Sequence, residues 1–197
     1  MPKVVDHDAR REGIADALMA LLERDGADHV ALRAVAAESG WSTGVLAHYF
    51  ADKDALLTYA FELVATRAAQ RGARRAAAAP DARGAARALL AECLPLDARR
   101  RREARLWFAY LERARTVPAM AAVARRRYDD WTGSVAGALE GAGLGAGEAA
   151  EAARELVALV DGLTVQALTD PRRLPRPALE RGLDTALGRV LGSRHGG

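Results

Sequence analysis

The chain has 197 residues, a formal net charge of +3 and a single cysteine, Cys93, which excludes an internal disulfide and a cysteine-based metal site within one chain. The mildly basic balance permits a nucleic-acid partner but does not require one. Alanine and arginine dominate, proline is scarce and runs of β-branched residues are few, which together favour an all-α fold.

The N-terminal segment predicts a short arm at residues 1–6 followed by two helices. The first helix covers about residues 8–24 and carries an apolar stripe that includes Ile14 and Leu18. A break at residues 25–28 separates it from a second, short helix that begins near Leu32 and leans on the first.

Residues 39–57, SGWSTGVLAHYFADKDALL, predict the turn and second helix of a helix-turn-helix and the start of a further helix. Gly40 should end the preceding helix, because a residue without a Cβ adopts the left-handed conformation cheaply. Ser42 is a good N-cap for the helix after the turn, and Val45 and Leu46 face a core at helical spacing.

The opposite face of that helix is left for a partner, and its side chains are small or form hydrogen bonds: Thr43, Gly44, Ala47, His48 and Tyr49. Such a face can approach the major groove of DNA closely. Asp52 is expected to cap the next helix. Lys53 then lies in the first turn of that helix, where the positive end of the helix dipole disfavours a positive charge. A DNA phosphate would offset this unfavourable interaction.

The segment STGVLAHYFADKDALL, with VALRAVAAESG before it, resembles the DNA-binding half of the TetR family of transcriptional regulators. That family usually has a tyrosine where this chain has Ala47, and a small residue at this position resembles the BetI-type subgroup. The family also usually caps the second helix with threonine. Ala31 stands there in this chain and gives up an N-cap worth about 1 kcal/mol, so Arg33 is expected to contact DNA on that side instead.

The resemblance implies a DNA-binding mechanism in which the helix after the turn enters the major groove. Tyr49, Lys53 and the amides near Ser42 are expected to hold phosphates, while Thr43 or His48 meets base edges. The predicted domains are a helix-turn-helix DNA-binding domain at residues 1–52 and a helical effector-binding and dimerisation domain at residues 53–197.

About nine helices are predicted in all, six of them from Asp52 onward. The first of these six should run to about Gly72 and join the two halves of the protein. Its basic residues Arg67, Arg71, Arg74 and Arg75 could contact phosphates, but on a surface helix they are expected to be simply solvated. The arginines at positions 99–102, which open a later helix, are expected to pair with Asp97, Glu103 or a partner, and a second DNA site is the less favoured alternative.

An aromatic stripe recurs at helical spacing in the C-terminal half, a pattern that more often marks plain core than a binding site. Regulators of the resembled family hold an effector among these helices, so both interpretations stay open. The candidate pocket residues are Phe61, Cys93, Trp107, Tyr110, Leu111, Tyr128 and Trp131. If the BetI-like resemblance extends to chemistry, aromatic rings of this kind suit a quaternary ammonium group.

The last two helices, about residues 148–169 and from Pro177 onward, carry more apolar surface than one side of a small domain needs. A second copy of the chain would cover it as a four-helix bundle. We therefore predict a homodimer on a palindromic double-stranded operator, with half-sites roughly 34 Å apart. A small-molecule effector would move the helix that starts at Asp52 and release the DNA. Residues 193–197 are predicted to be a loose tail.

Enzyme function finds no support in the sequence. The four histidines are scattered, the serine of residues 133–137 lacks the context of a nucleophile elbow, and no strand precedes the glycine-rich residues 141–147. No cofactor or metal is predicted. The absence of a secretory signal or long apolar span predicts a cytoplasmic protein with no membrane partner. The alternative is a helical interaction scaffold that retains the helix-turn-helix shape without specific DNA binding.

Overall fold

The computed structural model describes residues 7–26 and 31–192, with side chains from Ala9 onward. Within these ranges the chain forms nine α-helices and no strand, which confirms the predicted all-α class. The helices are α1 (His7–Asp25), α2 (Leu32–Ser39), α3 (Thr43–Tyr49), α4 (Lys53–Ala77), α5 (Ala82–Glu92), α6 (Ala98–Ala114), α7 (Pro118–Gly141), α8 (Ala146–Thr169) and α9 (Arg176–Gly192). The predicted arm and tail, and the break at residues 27–28, lie outside the described residues.

Two helices are longer than predicted. α4 continues beyond Gly72 to Ala77, because the alanines and arginines that follow are among the best helix formers. α8 begins at Ala146, where the extended backbone of Gly145 serves as the N-cap and Glu148 lies in the favourable first turn.

The described residues form two compact units, of which the first comprises those up to Ala65 together with Arg105–Val123. In this unit α1 packs against α2, and α2 against α3. Its core contains the predicted stripe of α1 and the inward face of α3, with the fully buried side chains Ile14, Leu18, Val35, Leu46, Leu56, Phe61, Leu106 and Tyr110. This packing holds the exposed face of α3 on a rigid base.

The second unit comprises Thr66–Ala104 and the described residues from Ala124 onward. Here α5 packs against α8 and α9, and these two pack against each other. Leucine, valine and alanine side chains of α5, α7, α8 and α9 form its continuous core, which includes Leu90, Val135, Leu139, Leu156, Val160, Leu183 and Leu187. The functional division predicted between residues 52 and 53 stays a prediction.

A buried ion network joins α4, α5 and α6 within the second unit. The Glu92 side chain is only 1% exposed and accepts from Arg71 Nε at 2.6 Å, from Arg99 Nη2 at 3.2 Å and from Arg75. Glu103 accepts from Arg71 Nη2 at 2.6 Å and from Arg99 Nη1 at 3.3 Å. Burial raises the pKa of Glu103, against the opposing effect of the two arginines.

This network corrects one sequence-based expectation and confirms another. The prediction that Arg71 and Arg75 are simply solvated is wrong, because both bind the carboxylate of Glu92. The prediction for the arginines that open α6 is confirmed at Arg99, which pairs with Glu103, and at Arg100, which pairs with Asp97 at 2.8 Å. These carboxylates offset the unfavourable dipole position of the two arginines.

Candidate nucleic-acid interface

The turn between α2 and α3 has the geometry that its sequence predicts. Gly40 adopts the left-handed conformation, with φ 74° and ψ 15°, at the C-cap of α2. The Trp41 amide then donates to the Ala36 carbonyl at 3.0 Å, which closes the helix end. Ser42 has an extended backbone, and its hydroxyl accepts from the Val45 amide at 3.3 Å. The direction of α3 is therefore set by local hydrogen bonds at both sides of the turn.

α3 presents a polar face and buries an apolar one. Leu46 is buried, and Phe50, just after the helix, is buried as well. Four of the α3 residues predicted to face DNA are exposed, namely Thr43, Gly44, Ala47 and His48. The fifth, Tyr49, is half-buried. The His48 and Tyr49 rings meet edge to face with their centroids 5.3 Å apart. This arrangement leaves a shallow surface at the start of the helix and larger hydrogen-bonding groups at its end.

The first turn of α4 adds the predicted lysine to the same segment. Asp52 caps the helix, since its carboxylate accepts from the Ala55 amide at 2.8 Å. Lys53 follows and is half-buried. The next residue, Asp54, binds Arg113 of α6 through two hydrogen bonds of 2.8 and 2.9 Å. These hydrogen bonds lower the pKa of Asp54, and the arginine neutralises a carboxylate that would otherwise repel a phosphate beside Lys53.

Arg33 lies in the first turn of α2 and is exposed. It forms no ion pair with any residue in the described ranges. Ala31 provides no side-chain hydrogen bond to the start of α2, as predicted. The exposed Arg33 guanidinium is thus suited to an anionic partner.

α1 supports the turn through two arginines that sequence reasoning missed. The guanidinium of Arg10 lies 4.6 Å from the centre of the Trp41 ring. That of Arg11 lies 5.8 Å from the Phe50 ring and 5.4 Å from the Tyr59 ring. Cation–π contacts of this kind attach α1 to both ends of α3. No local sequence pattern predicts these cation–π contacts, because each contact joins residues that are distant in sequence.

The candidate effector residues fall into two groups. In the first unit, Phe61 stacks on Tyr110 with a centroid distance of 3.9 Å, and Trp107 lies 4.8 Å from Phe61. The Tyr110 hydroxyl donates to the Met120 carbonyl at 3.3 Å, and Leu111 beside it is half-buried. Phe61 and Tyr110 are almost fully buried, so this stack has the packing of plain core.

The second group, Cys93, Tyr128 and Trp131, packs against the core of the second unit. Burial strongly raises the pKa of the Cys93 thiol, which keeps it protonated and unreactive at neutral pH. The rings of Tyr128 and Trp131 lie 6.3 Å apart. The Tyr128 hydroxyl donates to the Asp161 carboxylate at 2.6 Å, and both residues line an open groove of about 480 Å³ between α7 and α8.

In the part of the chain that the structure describes, no group of three histidine, cysteine, aspartate or glutamate side chains is arranged to hold a metal ion. None of the described helices combines the length and apolar character needed to cross a bilayer.

Two family models match the chain. One, for the bacterial regulatory proteins of the tetR family, matches residues 14–60, which contain α2, α3 and the start of α4. The other, for the C-terminal part of BetI-type transcriptional repressors, matches residues 82–192, which run from α5 to α9. The match to the tetR-family model therefore lies in the N-terminal part of the chain, where DNA binding is predicted, and the match to the BetI-type C-terminal model lies in the part predicted to bind an effector.

Individual proteins agree with these matches. The transcriptional regulator PksA of Bacillus subtilis is 32% identical over 184 residues, which are 92% of this chain and 89% of PksA. A transcriptional regulator from Rhodococcus sp. Rha1 has a crystal structure that is 31% identical, with a TM-score of 0.86 over 93% of this chain and 96% of that one. A regulator from Saccharomonospora viridis, solved in complex with choline, is 24% identical, with a TM-score of 0.80 over 90% and 95% of the two chains.

Proposed function

The chain belongs to the TetR family of bacterial transcriptional regulators, and from this membership we propose that it is a homodimeric repressor released from a palindromic operator by a small-molecule effector. One observation carries the DNA-binding part of the proposal. α3 buries Leu46 and exposes a face without bulky apolar groups, directly after a turn fixed by Gly40 and Ser42. A helix held in this way can enter a major groove without rearrangement.

The exposed face of α3 and its neighbours make two kinds of contact, one to the phosphates of the DNA backbone and one to base edges. Gly44 and Ala47 are small and exposed, so the helix axis can come close to the base edges. Thr43 and His48 then offer hydrogen bonds to bases. Phosphates are held by the amides near Ser42 at the start of α3 and by Tyr49 at its end. Lys53 and Arg33, on the helices beside α3, hold further phosphates. Arg33 takes the place of the capping side chain that Ala31 cannot provide.

Replacing Lys53 with alanine should reduce affinity for all duplexes by a similar factor, because a phosphate contact carries no sequence information. Loss of one phosphate contact per subunit should also lower the slope of log affinity against log salt by about 1 per subunit. Titration of operator and scrambled duplexes at several salt concentrations measures both quantities. An unchanged salt slope would remove Lys53 from the interface.

Dimerisation is supported by apolar surface on α8 and α9. Val165 of α8 is a large hydrophobic residue with 46% of its surface exposed to solvent. On α9, Val190 and Leu191 are only partly buried by their own chain. The last two helices of a second subunit would cover these side chains by a two-fold contact. A two-fold dimer would carry two copies of α3, one for each half-site, and this is the basis for proposing a palindromic operator.

Replacing Val165 with glutamate should dissociate the dimer, because a desolvated carboxylate without a partner opposes association. Sedimentation velocity should then show a folded monomer, and affinity for the palindrome should fall since the two half-sites are no longer linked. Val165→Ile, which keeps the side chain apolar, serves as the control. A Val165→Glu protein that stays dimeric would place the subunit contact elsewhere.

Release by an effector is supported by the continuity of α4. This helix starts with Lys53 next to α3 and runs without interruption to Ala77, where Arg71 and Arg75 take part in the buried network of the second unit. An effector bound within the second unit would therefore act on a helix whose start lies in the DNA-binding segment. Coupling between two such sites is typically about 1–3 kcal/mol, which changes operator occupancy several-fold or more.

A further inference from the structure

We propose that Ala47 selects a thymine in each half-site of the operator, through contact between its methyl group and the C5 methyl group of that base. This assignment rests on the proposed function, because it names the base that the exposed face of α3 recognises. A small residue on a DNA-binding helix can also simply let the helix come close without selecting any base. The two roles differ in whether affinity depends on the methyl group of the base.

Ala47 lies at the centre of the exposed face of α3. Successive residues of an α-helix are turned by about 100°, so Ala47 and Gly44, which are three residues apart, are neighbours on one face. Thr43 and His48 lie on either side of them. All four are exposed, whereas Leu46 is buried in the core of the first unit. The centre of the face is therefore formed by the bare backbone of Gly44 and the methyl group of Ala47.

The surroundings of Ala47 leave its methyl group accessible to a base. On one side, an added Cβ at Gly44 would have only the Ser42 hydroxyl oxygen within 4 Å, at 3.8 Å. On the other side, the His48 ring packs edge to face against the Tyr49 ring, with the centroids 5.3 Å apart. By the helical period, Tyr49 lies across α3 from Ala47. The two larger rings thus pack together at the end of the helix while Ala47 stays exposed.

The chemistry of the major groove then favours one base. The Ala47 side chain has no donor or acceptor, so it cannot recognise guanine, adenine or cytosine by a hydrogen bond. Thymine is the base that presents an apolar group in the major groove, its C5 methyl. Contact between the two methyl groups removes apolar surface of both from water. A polar base edge against Ala47 would instead lose its water without gaining a hydrogen bond.

Thr43 carries the other exposed methyl group among the four central residues of this face. It also carries a hydroxyl, which can bond to several kinds of base edge, so the methyl group alone does not fix its preference. Ala47 has no such alternative. The methyl-dependent thymine is therefore assigned to Ala47, and Thr43→Ser, which removes a neighbouring methyl group but keeps the hydroxyl, is the matched control.

The test uses an operator duplex that the wild-type protein enriches from a randomised pool. Each thymine is replaced in turn by uracil, in both half-sites together, because uracil differs from thymine only in lacking the C5 methyl group. Fluorescence anisotropy at one salt concentration measures the affinity. We expect one position at which the affinity of the wild type falls by about fourfold per half-site, or about tenfold or more for the two, as for the loss of one buried methyl group.

Ala47→Gly tests whether Ala47 makes that contact. Glycine weakens a helix, so the variant should bind every duplex less tightly, and the informative quantity is the ratio of affinities for the thymine and uracil duplexes. At the sensitive position this ratio should fall to about 1 in Ala47→Gly and stay at the wild-type value in Thr43→Ser. A wild-type ratio of about 1 at every thymine, or an unchanged ratio in Ala47→Gly, would overturn the proposal.

A second measurement needs no protein variant. Cytosine, paired with guanine, replaces the sensitive thymine pair, and 5-methylcytosine then returns a methyl group to the same edge of the major groove. We expect the wild type to bind the cytosine duplex more weakly than the thymine duplex, and to recover about fourfold per half-site with 5-methylcytosine. Equal affinity for the cytosine and 5-methylcytosine duplexes would contradict a methyl contact.

Failure of this proposal can be told apart from failure of the proposed function. Enrichment of an inverted repeat in which no thymine depends on its methyl group leaves the regulator intact and overturns the role of Ala47 alone. A pool that stays random overturns both, because no base is then selected. Enrichment with a methyl-dependent thymine that Ala47→Gly no longer distinguishes from uracil supports both.

Discussion

Replacing Gly44 with glutamate is expected to weaken DNA binding by about 100-fold or more while the fold stays intact. Gly44 is exposed on the predicted DNA face of α3, and an added Cβ would meet only the Ser42 hydroxyl oxygen, at an ordinary 3.8 Å. The new side chain should therefore cost the free protein little. In the complex it would place bulk and a negative charge against the groove, and like-charge contacts cost several kcal/mol, with every 1.4 kcal/mol equal to about tenfold in affinity.

The control for this variant is Gly137→Glu, which adds the same charge to an exposed helical glycine of α7 with open space around it. Fluorescence anisotropy with an operator duplex compares the two variants at one salt concentration, because affinities for DNA depend steeply on salt. Equal losses in both would mean that net charge, rather than the position on α3, controls binding. Unchanged affinity in Gly44→Glu would contradict the assignment of α3 as the recognition helix.

Replacing Glu92 with glutamine should lower the free energy of unfolding by about 3 kcal/mol. Glu92 is almost fully buried and compensates Arg71, whose side chain is 18% exposed, together with the more exposed Arg75 and Arg99. Removing one partner of a buried ion pair costs about 3–5 kcal/mol. The lower end applies here because Arg75 and Arg99 can regain water. Urea denaturation at a fixed protein concentration measures the change, since the proposed dimerisation would make the stability depend on concentration.

Arg75→Gln is the matched control, since it removes a half-exposed member of the same network. Its loss should cost about 1 kcal/mol or less, as is usual for exposed ion pairs. A Glu92→Gln protein as stable as the wild type would mean that the three arginines need no buried carboxylate. The network would then have no part in holding α4, α5 and α6 together.

The parts of the fold and site that the sequence predicts are those encoded by short-range signals. Gly40, Ser42 and Asp52 each act on an amide or carbonyl within a few residues, so their identity alone predicts the turn and the two helix starts. The alternation of buried and exposed residues along α3 follows from the helical period in the same way.

What the sequence does not predict depends on pairs that only the tertiary fold brings together. Arg71 and Glu92 are 21 residues apart, and Tyr128 and Asp161 are 33 apart. A surface arginine and a network arginine have the same local pattern, which is why the expectation for Arg71 was wrong. Aromatic spacing likewise does not separate the stacked Phe61 and Tyr110 from Tyr128, which lines a groove.

The most direct test of the account is selection of duplexes from a randomised pool by the purified protein. The salt concentration should be high enough to suppress non-specific binding. We predict enrichment of one inverted repeat with half-sites roughly one helical turn apart, by the wild type and not by Gly44→Glu. A pool that stays random with the wild-type protein would contradict sequence-specific recognition and favour a scaffold that keeps the helix-turn-helix shape without its use.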